Sequence, residues 1–366
     1  MKHVIEEIGS EFWVEDVITV INDGVCHNFR ENGFNGDNRL LLSGRTAIDF
    51  ICQDIENDRK ITTVYMPAYC CDSMIFPFKD RDVNVLFYDL VYEDGRVKCD
   101  IDTTLNVDIL YICNYFGFST GVDVEVVVNM QKKGVIVLYD RTHDLFNNKH
   151  TLSLISDYTF CSLRKWIGIP TGAIVSKRNG SFFQAFLKEC DFSESKYKGM
   201  RMKYDYLQGN TVIDKENFLR LFASFNKRLS GDYQNYSIDK MSLRLLHEQD
   251  FEQVKTRRYQ NAKLLYDGLS ELNNISMMFE HENANVPLFV PILVKKEIRN
   301  SLRDYLVDNK VYCPVHWPKS DSLPDSMRVN LFYDSELSLV CDQRYGEVQM
   351  RKIVDLIKNY CNKTNI

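Results

Sequence analysis

The chain has 366 residues, of which 45% are hydrophobic and 26% are charged, a composition typical of a globular protein rather than a disordered or fibrous one. This length accommodates a large α/β domain together with a smaller one. The formal net charge of −6 argues against a surface that binds nucleic acid. The N-terminus lacks an apolar signal core, and no stretch approaches the roughly 18 apolar residues of a membrane helix, so we expect a cytoplasmic protein without a membrane partner.

The eleven cysteines do not have the spacing of a metal site. Cys70 and Cys71 are adjacent and the sequence contains no C-x-x-C pair, so neither zinc nor another metal is predicted. Cys113 and Cys161 lie in apolar runs, where a reduced thiol packs as a small hydrophobic group. We therefore expect reduced thiols, as is usual in the cytoplasm.

The first 36 residues are predicted to be an N-terminal lead-in, which ends in the turn-forming residues around Asn35-Gly36. A helix is predicted over 46–55, because its apolar residues keep helical spacing. Short, strongly apolar runs bounded by turn residues then predict β-strands at 61–66, 83–88, 107–113, 135–139, 158–161 and 173–176.

The second half of the chain begins with a polar, aromatic stretch, 190–245, which is predicted to be irregular. A long helix is predicted from Phe251 onward, because apolar residues recur at spacings of three or four. The remaining predictions are a strand at 287–294, a helix at 298–307, a short strand at 311–312 and a terminal helix at 348–360. This pattern indicates a large domain over 37–245 and a smaller α/β domain over 246–366.

The predicted strands of the large domain are almost entirely apolar and alternate with helices. Such strands are buried on both faces, which is typical of a mainly parallel sheet flanked by helices. Ligands bind such sheets beyond the carboxyl ends of the strands. Asp140 and Ser162 each follow a predicted strand directly, so this edge is where we expect the chemistry.

An anion site is predicted where Ser43-Gly44-Arg45-Thr46 opens the helix 46–55. A helix start offers free backbone N–H groups and a positive dipole end, and both favour a phosphate group. Gly44 allows close approach of the backbone, and the two hydroxyl side chains add donors. The alternative interpretation is an ordinary serine or threonine helix cap.

Lys165 and Asp140 together suggest pyridoxal phosphate (PLP) chemistry. A lysine amine forms a Schiff base with the PLP aldehyde, and a carboxylate keeps its pyridine nitrogen protonated. His143 is placed to contact the ring hydroxyl. Trp166 is expected to exclude water from the lysine amine. Alternatively, Asp140 caps a helix, His143 is structural, and Ser162-x-x-Lys165 is a nucleophile motif, although the S-D-N and K-T-G partners of that motif are absent.

The chain resembles the DegT/DnrJ/StrS family of sugar aminotransferases, which are PLP enzymes of fold type I. The resemblance is strongest between residues 40 and 176 and extends to Lys240-Met241-Ser242 and to the helix that contains Arg258. The ordered set of matching stretches is Ser43-Gly44-Arg45-Thr46-Ala47, Met66-Pro67-Ala68-Tyr69-Cys70, Asn114-Tyr115-Phe116-Gly117, Tyr139-Asp140-Arg141-Thr142-His143 and Ser162-Leu163-Arg164-Lys165-Trp166.

This resemblance implies a mixed sheet of about seven strands and a homodimer with active sites at the subunit interface. It also implies transfer of an amino group, usually from glutamate, to a nucleotide-linked keto sugar. Such a reaction serves surface-polysaccharide or secondary-metabolite sugars. By the same resemblance, Lys165, Asp140 and His143 are the catalytic residues, and Gly44, Arg45, Thr46 and Ser162 surround the phosphate.

The sequence departs from the family pattern at three places. Cys71 stands where an aromatic residue often stacks on the PLP ring. Asp140-Arg141-Thr142 replaces Asp-Ala-Ala. Ile238-Asp239-Lys240 replaces an Asn-x-Arg whose asparagine contacts the partner subunit's phosphate, so Lys240 can replace that contact only as a point charge.

Arg344 and His316 are further candidates for the substrate site. A guanidinium suits the carboxylate of an amino donor, although Arg344 in a salt bridge is the simpler interpretation. His316 would line the mouth of the site or pack in the core. Other functions remain open: a different fold type I enzyme acting on amino acids, or a cofactor-free binding or regulatory protein that retains the fold. A deoxysugar dehydratase is disfavoured, because relatives of that type carry histidine in place of Lys165.

Overall fold

A computed structural model describes residues 5–15, 29–93, 96–147, 151–184, 187–281 and 285–364. Its strands, numbered in chain order, are β1 Ile8–Gly9, β2 Asp37–Leu41, β3 Thr63–Pro67, β4 Asn84–Glu93, β5 Arg96–Asp100, β6 Ile109–Cys113, β7 Ile136–Asp140, β8 Tyr158–Cys161, β9 Ala173–Lys177, β10 Lys188–Glu189, β11 Tyr236–Ser237, β12 Ile275–Met277, β13 Val290–Val294, β14 Val311–Tyr312 and β15 Glu336–Leu339.

The helices that these residues form are α1 Gly44–Glu56, α2 Asp72–Lys79, α3 Val124–Lys132, α4 Thr151–Ile155, α5 Glu194–Leu207, α6 Lys215–Gly231, α7 Lys240–His247, α8 Phe251–Leu269, α9 Lys296–Asp308, α10 Asn330–Ser335 and α11 Glu347–Thr364. None of the described helices is long and apolar enough to cross a membrane. The described cysteines form no disulfide bonds.

The largest sheet has the strand order β10-β11-β2-β9-β8-β7-β6-β3-β4-β5. Five neighbouring strands, from β8 to β4, run parallel, and β9 runs antiparallel to both β8 and β2. The seven strands from β2 to β4 therefore form a mixed, mainly parallel sheet, which confirms the predicted fold class. The antiparallel β5 extends one edge, and two-residue strands extend the other.

The central strands are buried on both faces, as their composition predicts. All five residues of β6 are buried, and so are the last four of β7. Helix α1 covers the sheet with Ala47, Ile48, Ile51 and Ile55. Burial of each isoleucine contributes about 1.5–3 kcal/mol, so the core holds the carboxyl ends of β6, β7 and β8 in fixed register.

A smaller antiparallel sheet, β12-β13-β15, lies in the C-terminal part of the chain. Helices α8 and α11 pack together so closely that a Cβ at Gly268 would lie 2.6 Å from the Val354 side chain. The predicted lead-in is also tied to this part of the chain, because β1 pairs in parallel with β14.

The prediction of an irregular segment at 190–245 is wrong, because α5, α6 and α7 lie there. Helix α6 buries Phe218, Phe222 and Phe225, which recur at spacings of four and three. Helix α5 packs against it at Gly199, where a Cβ would lie 2.8 Å from the Phe222 ring. The periodicity is aromatic and lies within polar sequence, so the composition of the segment concealed it.

Candidate active site

One cavity of about 320 Å³ lies beyond the carboxyl ends of β6, β7 and β8. Most residues that the sequence nominated for the site line this cavity: Gly44, Arg45, Cys71, Asp140, His143, Ser162 and Lys165. They come from four separate segments of the chain, and the parallel strands bring these segments to one edge of the sheet.

The start of helix α1 forms one end of the cavity. Ser43 caps the helix and accepts a hydrogen bond from the Thr46 N–H at 3.2 Å. A Cβ at Gly44 would lie only 3.2 Å from Ser162 Cβ, so the helix start passes close to the residue that follows β8. Thr46 is fully buried beneath this turn, and its hydroxyl lies 2.9 Å from Ser43 Oγ rather than on the cavity wall.

Asp140 is the last residue of β7 and is almost fully buried. Its carboxylate accepts hydrogen bonds from the Tyr111 hydroxyl at 2.6 Å and from the Thr142 N–H at 2.7 Å. Burial raises the pKa of Asp140 above its usual value, although these hydrogen bonds and the charge of Lys165 act in the opposite direction. A cationic partner in the cavity would offset the cost of burying this carboxylate.

His143 lies on the cavity wall beside aromatic rings. Its ring centroid is 5.3 Å from that of Trp317 and 5.1 Å from that of Phe116. Burial, with a smaller contribution from the charge of Lys165, lowers the pKa of His143 well below its usual value, so the imidazole is neutral at pH 7. His143 Nδ1 is buried and has no hydrogen-bond partner among the residues that the structure describes.

Lys165 ends a short 3-10 turn, Leu163–Lys165, and its side chain is exposed in the cavity. The expectation that Trp166 excludes water from the amine is wrong. Trp166 is fully buried in the core, where its indole N–H donates to the Thr142 carbonyl at 2.9 Å. It anchors the turn instead, so the lysine side chain projects the opposite way.

Three nominated substrate residues do not line the cavity. Lys240 is 89% exposed and pairs with Glu189 at 3.7 Å. His316 is buried behind His143, with a centroid separation of 5.5 Å, and its Nδ1 lies 2.8 Å from Ser338 Oγ. Arg344 is held by both carboxylate oxygens of Asp342, each at 2.8 Å.

Arg344 also contacts the N-terminal segment, where its Nη1 donates a hydrogen bond to the Glu11 carbonyl at 3.0 Å. The side chain of Glu11 lines the cavity, as do Arg164 and Asn226, and the sequence nominated none of them. Glu11 and Asn226 lie in no motif, and Arg164 lies in a matching stretch without a role of its own, because the three residues meet through contacts between distant segments. Cys71 also lines the cavity, with its Sγ 2.9 Å from Ser73 Oγ.

The described residues contain no group of histidine, cysteine, aspartate or glutamate side chains that could hold a metal ion.

Comparison with known proteins shows that this chain is similar to solved structures in its fold. No family model matches the sequence, and no curated protein matches it either.

Several solved structures superimpose on nearly the whole chain. Spr1654 from Streptococcus pneumoniae, described as a putative sugar aminotransferase in its PLP form, is 13% identical with a TM-score of 0.64, covering 94% of this chain and 93% of its own. A DegT DnrJ EryC1 StrS aminotransferase from Brucella abortus is 11% identical, with a TM-score of 0.62 and coverages of 93% and 91%. The chain has the fold of these aminotransferases.

A third structure, DesI solved in the presence of its TDP-sugar product, is 13% identical with a TM-score of 0.63. It covers 92% of this chain and 84% of its own. At such low identity the similarity establishes the architecture, which is that of fold type I. Function at this site has to be argued from the side chains that line the cavity.

Proposed function

We propose that this chain is a PLP-dependent aminotransferase that moves an amino group from an amino acid, with glutamate as the expected donor, to a nucleotide-linked keto sugar. The observation that carries the proposal is a single cavity lined by Lys165, by the buried carboxylate of Asp140 and by the start of helix α1. The fold supports it, because solved proteins of this architecture include a PLP form and a TDP-sugar complex.

The side chains present fit PLP at three points. Asp140 is a buried carboxylate whose raised pKa reflects its burial, and a protonated ring nitrogen is the cationic partner that it lacks. His143 is neutral and borders the cavity, where it can meet the ring hydroxyl. The start of α1, with Gly44 close to Ser162, suits the phosphate. When bound there, PLP supplies an electron sink for the carbanion formed at the donor carbon.

The protein residues then have separate tasks. Lys165 would hold the cofactor through Nζ, and its amine, when free, would accept and hold the proton removed from the donor α-carbon. General acid–base assistance of this kind contributes about 10²–10⁴-fold. Asp140 would keep the ring nitrogen of the cofactor protonated, and Tyr111 orients that carboxylate through its hydroxyl. Trp317 and Tyr115 form apolar parts of the wall that exclude water.

The resemblance to the family further supports a homodimeric, cytoplasmic enzyme with active sites near the subunit interface. We propose this assembly on the resemblance alone. Sedimentation of the purified protein at twice the chain mass of 42.9 kDa is the expected result.

A two-stage assay tests the function. The protein is loaded with PLP and incubated with glutamate, and the visible absorbance of the cofactor and the release of 2-oxoglutarate are recorded. Free amino acid is then removed, and a panel of nucleotide-linked keto sugars is added. Loss of the absorbance with glutamate and its return with one keto sugar is expected. Failure to acquire visible absorbance would favour a cofactor-free binding protein, and a response to amino acids alone would favour an amino-acid enzyme.

A further inference from the structure

The end of the cavity at the start of helix α1 contains two arginines. Arg45 and Arg164 both line the cavity, and the charge of Arg45 is close enough to disfavour the protonated form of Arg164. Burial is the larger cause, and it lowers the pKa of each guanidinium from its usual value while leaving both charged. Two half-buried like charges at one end of a cavity are stabilised by an anion between them.

Both guanidiniums have unused hydrogen-bonding capacity. The Nε atoms of Arg45 and Arg164 are buried and have no hydrogen-bond partner in the described part of the chain. Arg45 donates one hydrogen bond, from Nη1 to the Leu229 carbonyl at 3.2 Å. An oxyanion with several acceptor oxygens would satisfy the remaining donors, because guanidinium groups bind phosphate in a forked geometry.

Helix α6 orients both arginines. The Arg164 guanidinium lies 5.2 Å from the centroid of Phe225, and that of Arg45 lies 5.4 Å from the centroid of Tyr233, just beyond the helix. Asn226 and Leu229 of the same helix complete the wall. Helix α6, which the sequence did not predict, therefore forms part of this end of the cavity. Its residues belong to the same chain as the two arginines.

The charged side chains that line this end of the cavity suit a phosphate group. Glu11 also lines this end, and its carboxylate pairs with Lys196 at 2.9 Å. Although burial opposes ionisation, the charge of Lys196 lowers the pKa of Glu11 to about 2, so this pair cancels. Asp72 and Asp80 also favour the charged form of Arg45, but neither lines the cavity. The two guanidiniums are therefore the charges that would meet a phosphate ester there, whose own charge is about −1.5 to −2 at pH 7.

We infer that Arg164, oriented by helix α6 and acting with Arg45, binds the cofactor phosphate from within the same chain. This inference rests on the proposed function. The immediate succession of Arg164 and Lys165 favours the cofactor over the substrate as the source of the phosphate, because the amine that bonds the aldehyde is the next residue. Lys240 is exposed, pairs with Glu189 and does not line the cavity, so it is not needed for the contact within one chain.

The test compares PLP with pyridoxal, which lacks the phosphate. Dissociation constants for both are measured by visible absorbance in the wild-type protein, in Arg164→Gln and in Arg228→Gln. Arg228 is the matched control, since it lies 4.2 Å from the Phe192 ring and outside the cavity. We expect Arg164→Gln to weaken PLP binding about 10- to 100-fold with little change for pyridoxal. Arg228→Gln should leave both constants unchanged.

Several results would overturn the inference. Equal weakening of PLP and pyridoxal, or no change in either, removes Arg164 from phosphate binding while the proposed function stands. Failure of the wild-type protein to bind PLP overturns both. If Arg164→Gln does not fold, as judged by thermal unfolding, Arg164→Lys decides: its ammonium cannot make forked contacts, so a selective loss of PLP affinity is expected and wild-type affinity would refute the assignment.

Discussion

The lysine and the aspartate of the site owe their positions to different neighbours. Asp140 is fixed by the β7 register and by two hydrogen bonds, from Tyr111 and Thr142. Lys165 is fixed by a turn that Trp166 anchors in the core. The carboxylate is therefore buried and rigid, whereas the amine projects into open space. A mobile amine suits Lys165 as a proton carrier, and a fixed carboxylate suits Asp140 as a stationary charge.

Replacement of the carboxylate tests its role. Asp140→Asn keeps the size of the side chain but cannot hold a proton on the ring nitrogen. We expect kcat/KM to fall about 10- to 100-fold or more, the effect of losing a charge-assisted hydrogen bond in the transition state. Asp108→Asn is the control, because Asp108 lies at the opposite end of β6 and contacts Thr62. Wild-type kinetics in Asp140→Asn would contradict the assignment.

The hydroxyl that supports Asp140 is expected to set part of the pH dependence. Burial raises the pKa of Asp140, and the Tyr111 hydrogen bond lowers it because it favours the carboxylate. Tyr111→Phe removes that bond, so the pKa rises further and protonation begins at higher pH. The acid limb of the kcat/KM profile should therefore move to higher pH. An unchanged or opposite shift would show that Tyr111 does not tune this carboxylate.

At the scale of elements, the sequence predicted the strands of the large domain better than its helices. Continuous apolar runs such as Ile109–Cys113 signal strands buried on both faces, and the polar residue that ends each run marks the functional edge. Helix α6 escaped prediction because its buried face is narrow and aromatic. Arg164 lies in one of the matching stretches, but the sequence did not predict its position in the cavity. That position depends on contacts with α6, which begins more than fifty residues later.

The packing of α6 against α5 predicts a large effect of one aromatic side chain. Phe222 is buried and contacts Gly199 and the ammonium of Lys196, whose Nζ is 4.3 Å from the ring centroid. Phe222→Ala should lower the free energy of unfolding by about 3–5 kcal/mol. Leu219→Ala on the same helix should change it by less than about 1 kcal/mol, because Leu219 is 40% exposed. Chemical denaturation of both variants measures the difference, and similar losses would contradict this packing.

Strand β15 carries a buried glutamate that makes stability depend on pH. Burial raises the pKa of Glu336 to about 8, although hydrogen bonds from Ser338 and the His316 N–H act against it. Between its ordinary pKa of 4.5 and this value, the folded state holds a proton that the unfolded state releases. The associated stability is complete below the lower pKa and is lost as the pH rises through the higher one.

Glu336→Gln mimics the protonated side chain and should remove this contribution. The difference in unfolding free energy between the wild-type protein and the variant is therefore expected to change across about pH 5 to pH 8, with the wild type losing stability as the pH increases. Urea denaturation at several pH values measures it. A difference that is constant across this range would show that Glu336 is ionised in the folded protein.

At the scale of the whole molecule, the active-site cavity depends on segments from both ends of the chain. Glu11 reaches it because Arg344 and Lys203 hold the N-terminal segment by its backbone carbonyls. Trp317 reaches it from the C-terminal part, beside His143. The sequence identified the four motif-bearing segments, but these long-range partners leave no local pattern. The boundaries at 36 and 245 between lead-in, large domain and smaller domain stay a prediction.

The proposed function depends on Lys165 as the residue that bonds the cofactor. Treating the PLP-loaded protein with borohydride fixes a lysine–cofactor bond permanently, and peptide mapping by mass spectrometry then locates it. We expect a single pyridoxyl group on Lys165, absent from Lys165→Ala. Labelling of a different lysine in the wild-type protein, or of no lysine at all, would contradict it.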